Sequence, residues 1–396
     1  MPKRPDEPTR RRKVWSLSMR VPMPPRHLRL PVWALTSATV VVVLIGAAVG
    51  VALLSGAAMT SETTRSSLNE RATGLGNGLR HRAHASGLKI GAAAQPTALA
   101  GNEGYRTVLS REFDSVTSEN QLKWDIIEPS RGLFDWSSAD ALIGFAEANG
   151  QSVRGHTLVW HDALPGWLAN GSFSPEELRN LLRDHIHAVV GRYKGRVDAW
   201  DVVNEAVADN GGRLRRSPWM DALGPGYIAD ALRWAHEADP AARLYINDYA
   251  VEAANMKSDA LYNIAAGLRR DGVPLHGVGF QSHLALGADL TTLGANLRRF
   301  ADLGLDVAIT EMDVRLPLPA TAAQHAEQAD LYTRVLQACL AVERCVSYTV
   351  WGFTDRYSWV PYAYPGWGDA CLFDGDYQPK PAYLQLRRML VDSPRR

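Results

Sequence analysis

At 396 residues the chain exceeds one average domain, although units of alternating strands and helices commonly fill about 250 residues or more as one body. Nine Lys/Arg within residues 1–30 face only Asp6 and Glu7, a local net of +7 inside an overall +1, so everything after Leu30 carries −6. A main body of that sign excludes nucleic acid as its partner, since polyphosphate binding needs a basic surface, and leaves a neutral polymer compatible.

Between Arg29 and Glu62 no ionisable side chain occurs. Residues 31–58, centred on Val40-Val41-Val42-Val43-Leu44, are long enough as a helix to cross roughly 30 Å of hydrocarbon. The basic segment 1–30 should then stay cytoplasmic, with the rest of the chain translocated. The run reads as an uncleaved anchor. Ser55-Gly56-Ala57-Ala58 also offers the small residues a signal peptidase needs, so a secreted form is the alternative. Either way the following domain is extracellular. Residues 59–85, rich in Ser, Thr, Arg, Gly and Asn, read as a linker, and 86–396 as the folded domain.

From there β-like runs at 89–93, 115–118, 152–158, 197–203, 243–247, 277–282, 306–310 and 347–351 alternate with helical patterns. In 175–193, for example, Leu178, Leu181, Leu182, His185, Val189 and Val190 recur at helical spacing. Strand then helix, eight times, predicts a closed parallel (β/α)8 barrel, preceded by the single N-terminal transmembrane or signal-anchor helix. Of three cysteines, Cys339 and Cys345 have five residues between them just before the last run, a spacing a short loop can close, while Cys371 lies beyond it. No second Cys pair or nearby His cluster supplies a tetrahedral metal set, so neither metal nor cofactor is expected.

In such a barrel chemistry gathers where the strands end. Here the runs close on Glu119-Asn120, His156, Asn204-Glu205, Asn247-Asp248, Gln281 and His283, Glu311 and Asp313, and Trp351. Packing alone would not place an amide or a charge at the end of strand after strand, because burying such groups without partners costs a few kcal/mol each. Glu205 closes the fourth run and Glu311 the seventh, across the barrel mouth from each other. A retaining glycosidase needs such a pair, about 5–5.5 Å apart, one protonated to assist the leaving oxygen and one ionised to attack the anomeric carbon.

Six motifs carry a family likeness: Ser118-Glu119-Asn120-Gln121-Leu122-Lys123-Trp124, Arg154-Gly155-His156-Thr157-Leu158-Val159-Trp160-His161, Trp200-Asp201-Val202-Val203-Asn204-Glu205-Ala206, Gln281-Ser282-His283, Ile309-Thr310-Glu311-Met312-Asp313 and Val350-Trp351-Gly352-Phe353-Thr354-Asp355. In this order and spacing the chain from Ile90 to about Leu390 resembles glycoside hydrolase family 10 xylanases. The resemblance implies an endo-1,4-β-xylanase acting on xylan or xylo-oligosaccharides, with Glu205 as acid/base and Glu311 as nucleophile. It further implies that His283 hydrogen-bonds Glu311 with Asp313 orienting the imidazole, and that Asn204 binds the sugar 2-hydroxyl.

By the same likeness Glu119, Asn120 and Lys123 grip the sugar two units from the cut, and Lys123, His156 and Gln281 serve nearer to it. Trp160, Trp351 and Trp359 resemble cleft walls that cover the apolar faces of pyranose rings. The family's disulfide also resembles Cys339 with Cys345, and a monomer is expected. Two positions depart from the pattern, Ala163 before Leu164-Pro165 and Ala250 after Tyr249, where relatives often carry amides; a sugar contact two units from the cut is expected to be missing at Ala163, and Ala250 leaves the contacts on the reducing-end side open. A cellulase or mannanase would also carry glutamates on strands four and seven, but the Gly-His-Thr and Glu-Asn-x-x-Lys motifs disfavour it. A non-catalytic sugar-binding barrel is disfavoured by the presence of both glutamates.

Overall fold

The computed structural model describes residues 78–392. The segment 1–30 expected to be cytoplasmic, the expected membrane run 31–58 and residues 59–77 of the expected linker lie outside the described residues. Among the described residues no helix is long and apolar enough to cross a membrane.

Eight strands pair in parallel: β1 (Lys89–Ala94), β2 (Ser115–Ser118), β3 (Ser152–Val159), β4 (Ala199–Asn204), β5 (Arg243–Asp248), β6 (Gly277–Phe280), β8 (Asp306–Pro317) and β9 (Cys345–Val350). β9 bonds both β8 and β1, which closes the sheet on itself as a (β/α)8 barrel. Because helices cover the outside and side chains fill the inside, these strands are apolar or buried on both faces; β2 and β6 are buried at every position. The outer layer follows from amphipathic sequence. Pro175–Arg192 starts on a Ser174/Glu177 capping box and buries Leu178, Leu182, His185, Ile186, Val189 and Val190, each aliphatic one contributing about 1.5–3 kcal/mol.

Two glycines let strands approach where the site is built. A Cβ at Gly155 would lie 2.2 Å from the Trp200 ring, and one at Gly279 would lie 2.2 Å from Asn247 Oδ1. Any side chain at 279 would thus displace the Asn247 amide.

The structure corrects the expected linker at its C-terminal end. Leu79–His84 is a helix whose Leu79 and Ala83 are fully buried. Its polar residues conceal a one-stripe apolar face too short to register as periodic. The buried Glu112 carboxylate accepts from the Leu79 N–H (2.9 Å) and the Tyr383 hydroxyl (3.0 Å), tying this helix to Pro381–Asp392. A carboxylate removed from water requires such donors.

The seventh barrel strand also runs further than its apolar core predicts. Past Thr310 its outer half is paired by two short strands, β7 (His283–Ala285) in parallel and β10 (Trp367–Gly368) antiparallel. Cross-strand hydrogen bonds together with the full burial of Met312, Val314 and Leu316 carry β8 out to the barrel mouth. Cys339, at the end of helix Ala322–Leu340, is bonded to Cys345 at the start of β9, with the Cα atoms 5.3 Å apart; Cys371 is a free, buried thiol.

Candidate active site

Strand register sets the neighbours. His156 on β3 stands beside Asp201 on β4, Asn204 beside Asn247 on β5, and His283 on β7 beside Asp313 on β8. All the strand-end residues singled out from the sequence therefore meet at one mouth.

Glu311 is buried and held from two sides. The Asn247 amide donates to Oε1 at 2.6 Å, and His283 Nε2 lies 3.1 Å from Oε2. The other ring nitrogen of His283 is 3.1 Å from Asp313 Oδ2, which also accepts from the Trp359 indole at 2.7 Å. Burial pulls the His283 imidazole down, but the Asp313 charge and the bonds to Asp313 and Glu311 outweigh it and hold His283 well above the ordinary histidine value. Burial pushes the Glu311 carboxyl up, yet the nearby His156 and the His283 hydrogen bond leave it below the usual glutamate value.

Glu205 has a different shell. Its Oε2 accepts from the Trp160 indole at 2.9 Å and its Oε1 from the Gln281 amide at 3.2 Å, both neutral donors. Its backbone is in the left-handed region, φ 57°, clamped by Glu205 N–H donating to Asn247 O (2.7 Å) and by Arg215 Nε donating to its carbonyl (3.1 Å). Non-glycine residues occupy that region at a cost of about 1–3 kcal/mol, which the clamp must offset.

An amide relay joins the two carboxylates. Asn204 Oδ1 accepts from Asn247 (2.9 Å) and Gln281 (3.3 Å), while Asn204 Nδ2 is buried and has no hydrogen-bond partner. A buried donor left open costs about 1–3 kcal/mol, so a hydroxyl arriving beside both carboxylates is favoured.

On the β2 side Lys123 Nζ donates to Asn120 Oδ1 at 2.9 Å and stands 5.1 Å from the centre of the Trp160 ring. Burial pushes Glu119 up to about 7, against the pull of Lys123 and Asn120. His156 Nδ1 is 3.1 Å from Asp201, itself paired with the buried Arg154, and 3.8 Å from Glu311. Trp351 meets the His156 and His283 rings edge-on at 5.1 and 6.1 Å, so it forms a wall against the two imidazoles.

Four functional neighbours were not assigned from sequence: Asn247, Asp201, His161 and Trp219. Asn247 and Asp201 hold Glu311 and His156, and His161 Nδ1 is 3.8 Å from Glu205 Oε2. Trp219 donates to the Trp160 carbonyl at 3.0 Å and stacks on Trp124. The strand-end amide of Asn247 was a usable signal; Trp219 lies on a distant helix and offered none.

Both departures from the family pattern, Ala163 (φ 50°) and Ala250 (φ 54°), occupy the left-handed region. Asn tolerates that conformation better than Ala, because its short amide bonds locally. Ala250 is exposed. Ala250→Asn is therefore expected to raise stability by about 0.5–1 kcal/mol and the melting temperature by about 2 °C, read by thermal unfolding. An unchanged or lower midpoint would refute the strain account.

Comparison with known proteins agrees with this geometry. The model of Glycosyl hydrolase family 10 matches residues 78–389. The chain is 46% identical to Endo-1,4-beta-xylanase B of Thermotoga neapolitana over 292 residues, 73% of this chain and 84% of that protein. It is 43% identical to Endo-1,4-beta-xylanase of Agaricus bisporus over 272 residues, 69% and 81% respectively. Among solved structures, native xylanase 10B from Thermotoga maritima superposes with a TM-score of 0.78 at 44% identity, covering 80% of this chain and 98% of that one. Xylanase 10B from Thermotoga petrophila, solved in complex with xylobiose, gives 0.78 and 44%, covering 80% and 97%.

Proposed function

The chain belongs to glycosyl hydrolase family 10 and is a glycoside hydrolase, and from that premise we propose that it cuts internal β-1,4-xylosidic bonds of xylan by retaining double displacement. The observation that carries the assignment of roles is the asymmetry of the two shells. Glu311 sits against the imidazoles of His156 and His283, which lower its carboxyl below the usual glutamate value as suits a nucleophile, whereas Glu205 takes its hydrogen bonds from neutral indole and amide donors.

In the first step the Glu311 carboxylate attacks the anomeric carbon, the bond from that carbon to the glycosidic oxygen breaks, and Glu205 gives its proton to the departing oxygen. In the second, Glu205 takes a proton from water, the hydroxyl attacks the same carbon, and Glu311 leaves as carboxylate. The unpartnered Asn204 amide is suited to the sugar 2-hydroxyl, whose bond strengthens as the oxocarbenium ion develops. Lys123, Asn120, Glu119, His156 and Gln281 would hold sugars beside the cut, between the Trp160, Trp351 and Trp359 rings. The apolar run 31–58 supports placing the barrel outside the cell, anchored or released.

The test is incubation of the full-length protein with linear β-1,4-xylan, carboxymethylcellulose and mannan, with the first product anomer read by NMR. Xylo-oligosaccharides released with β configuration are expected. Initial α product would rule out retention, and cleavage of another polymer in place of xylan would move the specificity.

A further inference from the structure

Along β8, Glu311, Asp313 and Arg315 alternate onto one face. The first two hold His283; Arg315 is the next step outward, paired in register with Ala285, whose side chain offers it no polar partner. Its guanidinium carbon lies 4.3 Å from the centre of the Tyr364 ring and 5.7 Å from that of Trp367. Tyr364 in turn packs edge-on against Trp359 at 5.7 Å, the ring whose indole bonds Asp313. Two aromatic side chains thus connect this cation to the catalytic histidine pair.

Other arginines of the mouth are paired, Arg154 with Asp201 and Arg215 with Asp209. Among the described residues no carboxylate pairs with Arg315, and its hydrogen bond is a long one, 3.4 Å to the Leu284 carbonyl. A half-buried guanidinium packed beside two rings presents its donors in a rigid planar fork, the geometry that matches a carboxylate bidentately. Neutral xylose units offer only uncharged hydroxyls, weaker acceptors for that fork than a carboxylate.

We propose that Arg315, framed by Tyr364 and Trp367, binds the carboxylate of an acidic substituent, a uronic acid side group, on the xylan chain, an assignment that rests on the xylan reading above. The site would favour acidic xylans while leaving the chemistry of the cut unchanged.

The experiment compares full-length wild type, Arg315→Leu and Arg315→Lys on three polymers: unsubstituted xylan, uronic-acid-substituted xylan, and the latter with its carboxyls reduced to alcohols. For the wild type, kcat/KM on the uronate polymer is expected to exceed that on the reduced polymer about three- to tenfold. Arg315→Leu should erase that ratio and Arg315→Lys keep part of it, with unsubstituted xylan changed less than about twofold, and salt at about 0.5 M should shrink the wild-type ratio. Equal loss on all three polymers would assign Arg315 to structure alone and overturn the site, as would a wild type indifferent to the carboxyl. A wild type that cuts no xylan, unsubstituted included, would instead remove the xylan reading and this site with it.

Discussion

Glu311→Gln is expected to lower kcat on xylan by about 10⁴-fold or more while leaving KM within a few-fold. The reasoning is local. Gln keeps the shape and an oxygen for the Asn247 amide, so the relay through Asn204 and Gln281 survives, but an amide cannot form and release a glycosyl ester. His283 loses one of the two carboxylates that hold it above the ordinary histidine value, while Asp313 and the Trp359 bond keep the ring in place. Steady-state hydrolysis measures the loss. Mass spectrometry after incubation with an activated 2-fluoro xyloside, which slows the second step, should find the adduct on Glu311 in wild type and none in the variant. Residual turnover above about one hundredth of wild type, or an adduct on another residue, would remove Glu311 from the role.

Glu205→Ala should split its effect by leaving group. On xylan, whose departing sugar hydroxyl needs a proton, the rate should fall about 10²–10⁴-fold. On an aryl xylobioside carrying dinitrophenolate, which leaves without protonation, formation of the intermediate should stay near wild type, and breakdown should become limiting because no base activates water. Azide, a nucleophile that needs no base, should then restore turnover and yield a β-configured xylosyl azide. Loss of Trp160 and Gln281 as bonded partners is common to both substrates, so it cannot produce the split. Equal losses on the two substrates would show that Glu205 positions rather than transfers protons.

Much of this site was legible because a barrel concentrates chemistry at strand ends. Reading which polar residue closes each apolar run was enough to bring Glu119, His156, Asn204, Glu205, Gln281, His283, Glu311 and Asp313 together without knowing any distance. What escaped were groups that act through others. Asp201 sits in the middle of β4, where charge looks like a packing anomaly until the His156 and Arg154 side chains of β3 are seen to meet it. Trp219 reaches the site only through the Trp160 carbonyl. The Leu79–His84 helix escaped for a different reason, since its burial depends on Glu112 and Tyr383, the latter some 300 residues away in the chain.

By itself the sequence determined the alternation of strands and helices, the identity of the two carboxylates, the pairing of Cys339 with Cys345 and the family likeness, because these rest on periodicity, spacing and residue type within short windows. The tertiary structure alone decided which carboxylate the His156 and His283 imidazoles face, where β8 ends, that Ala163 and Ala250 sit in left-handed backbone, and that Arg315 stands by Tyr364 and Trp367 with no carboxylate partner among the described residues. Charge state and hydrogen-bond partnership depend on burial and on atoms brought from distant strands, and local sequence carries neither.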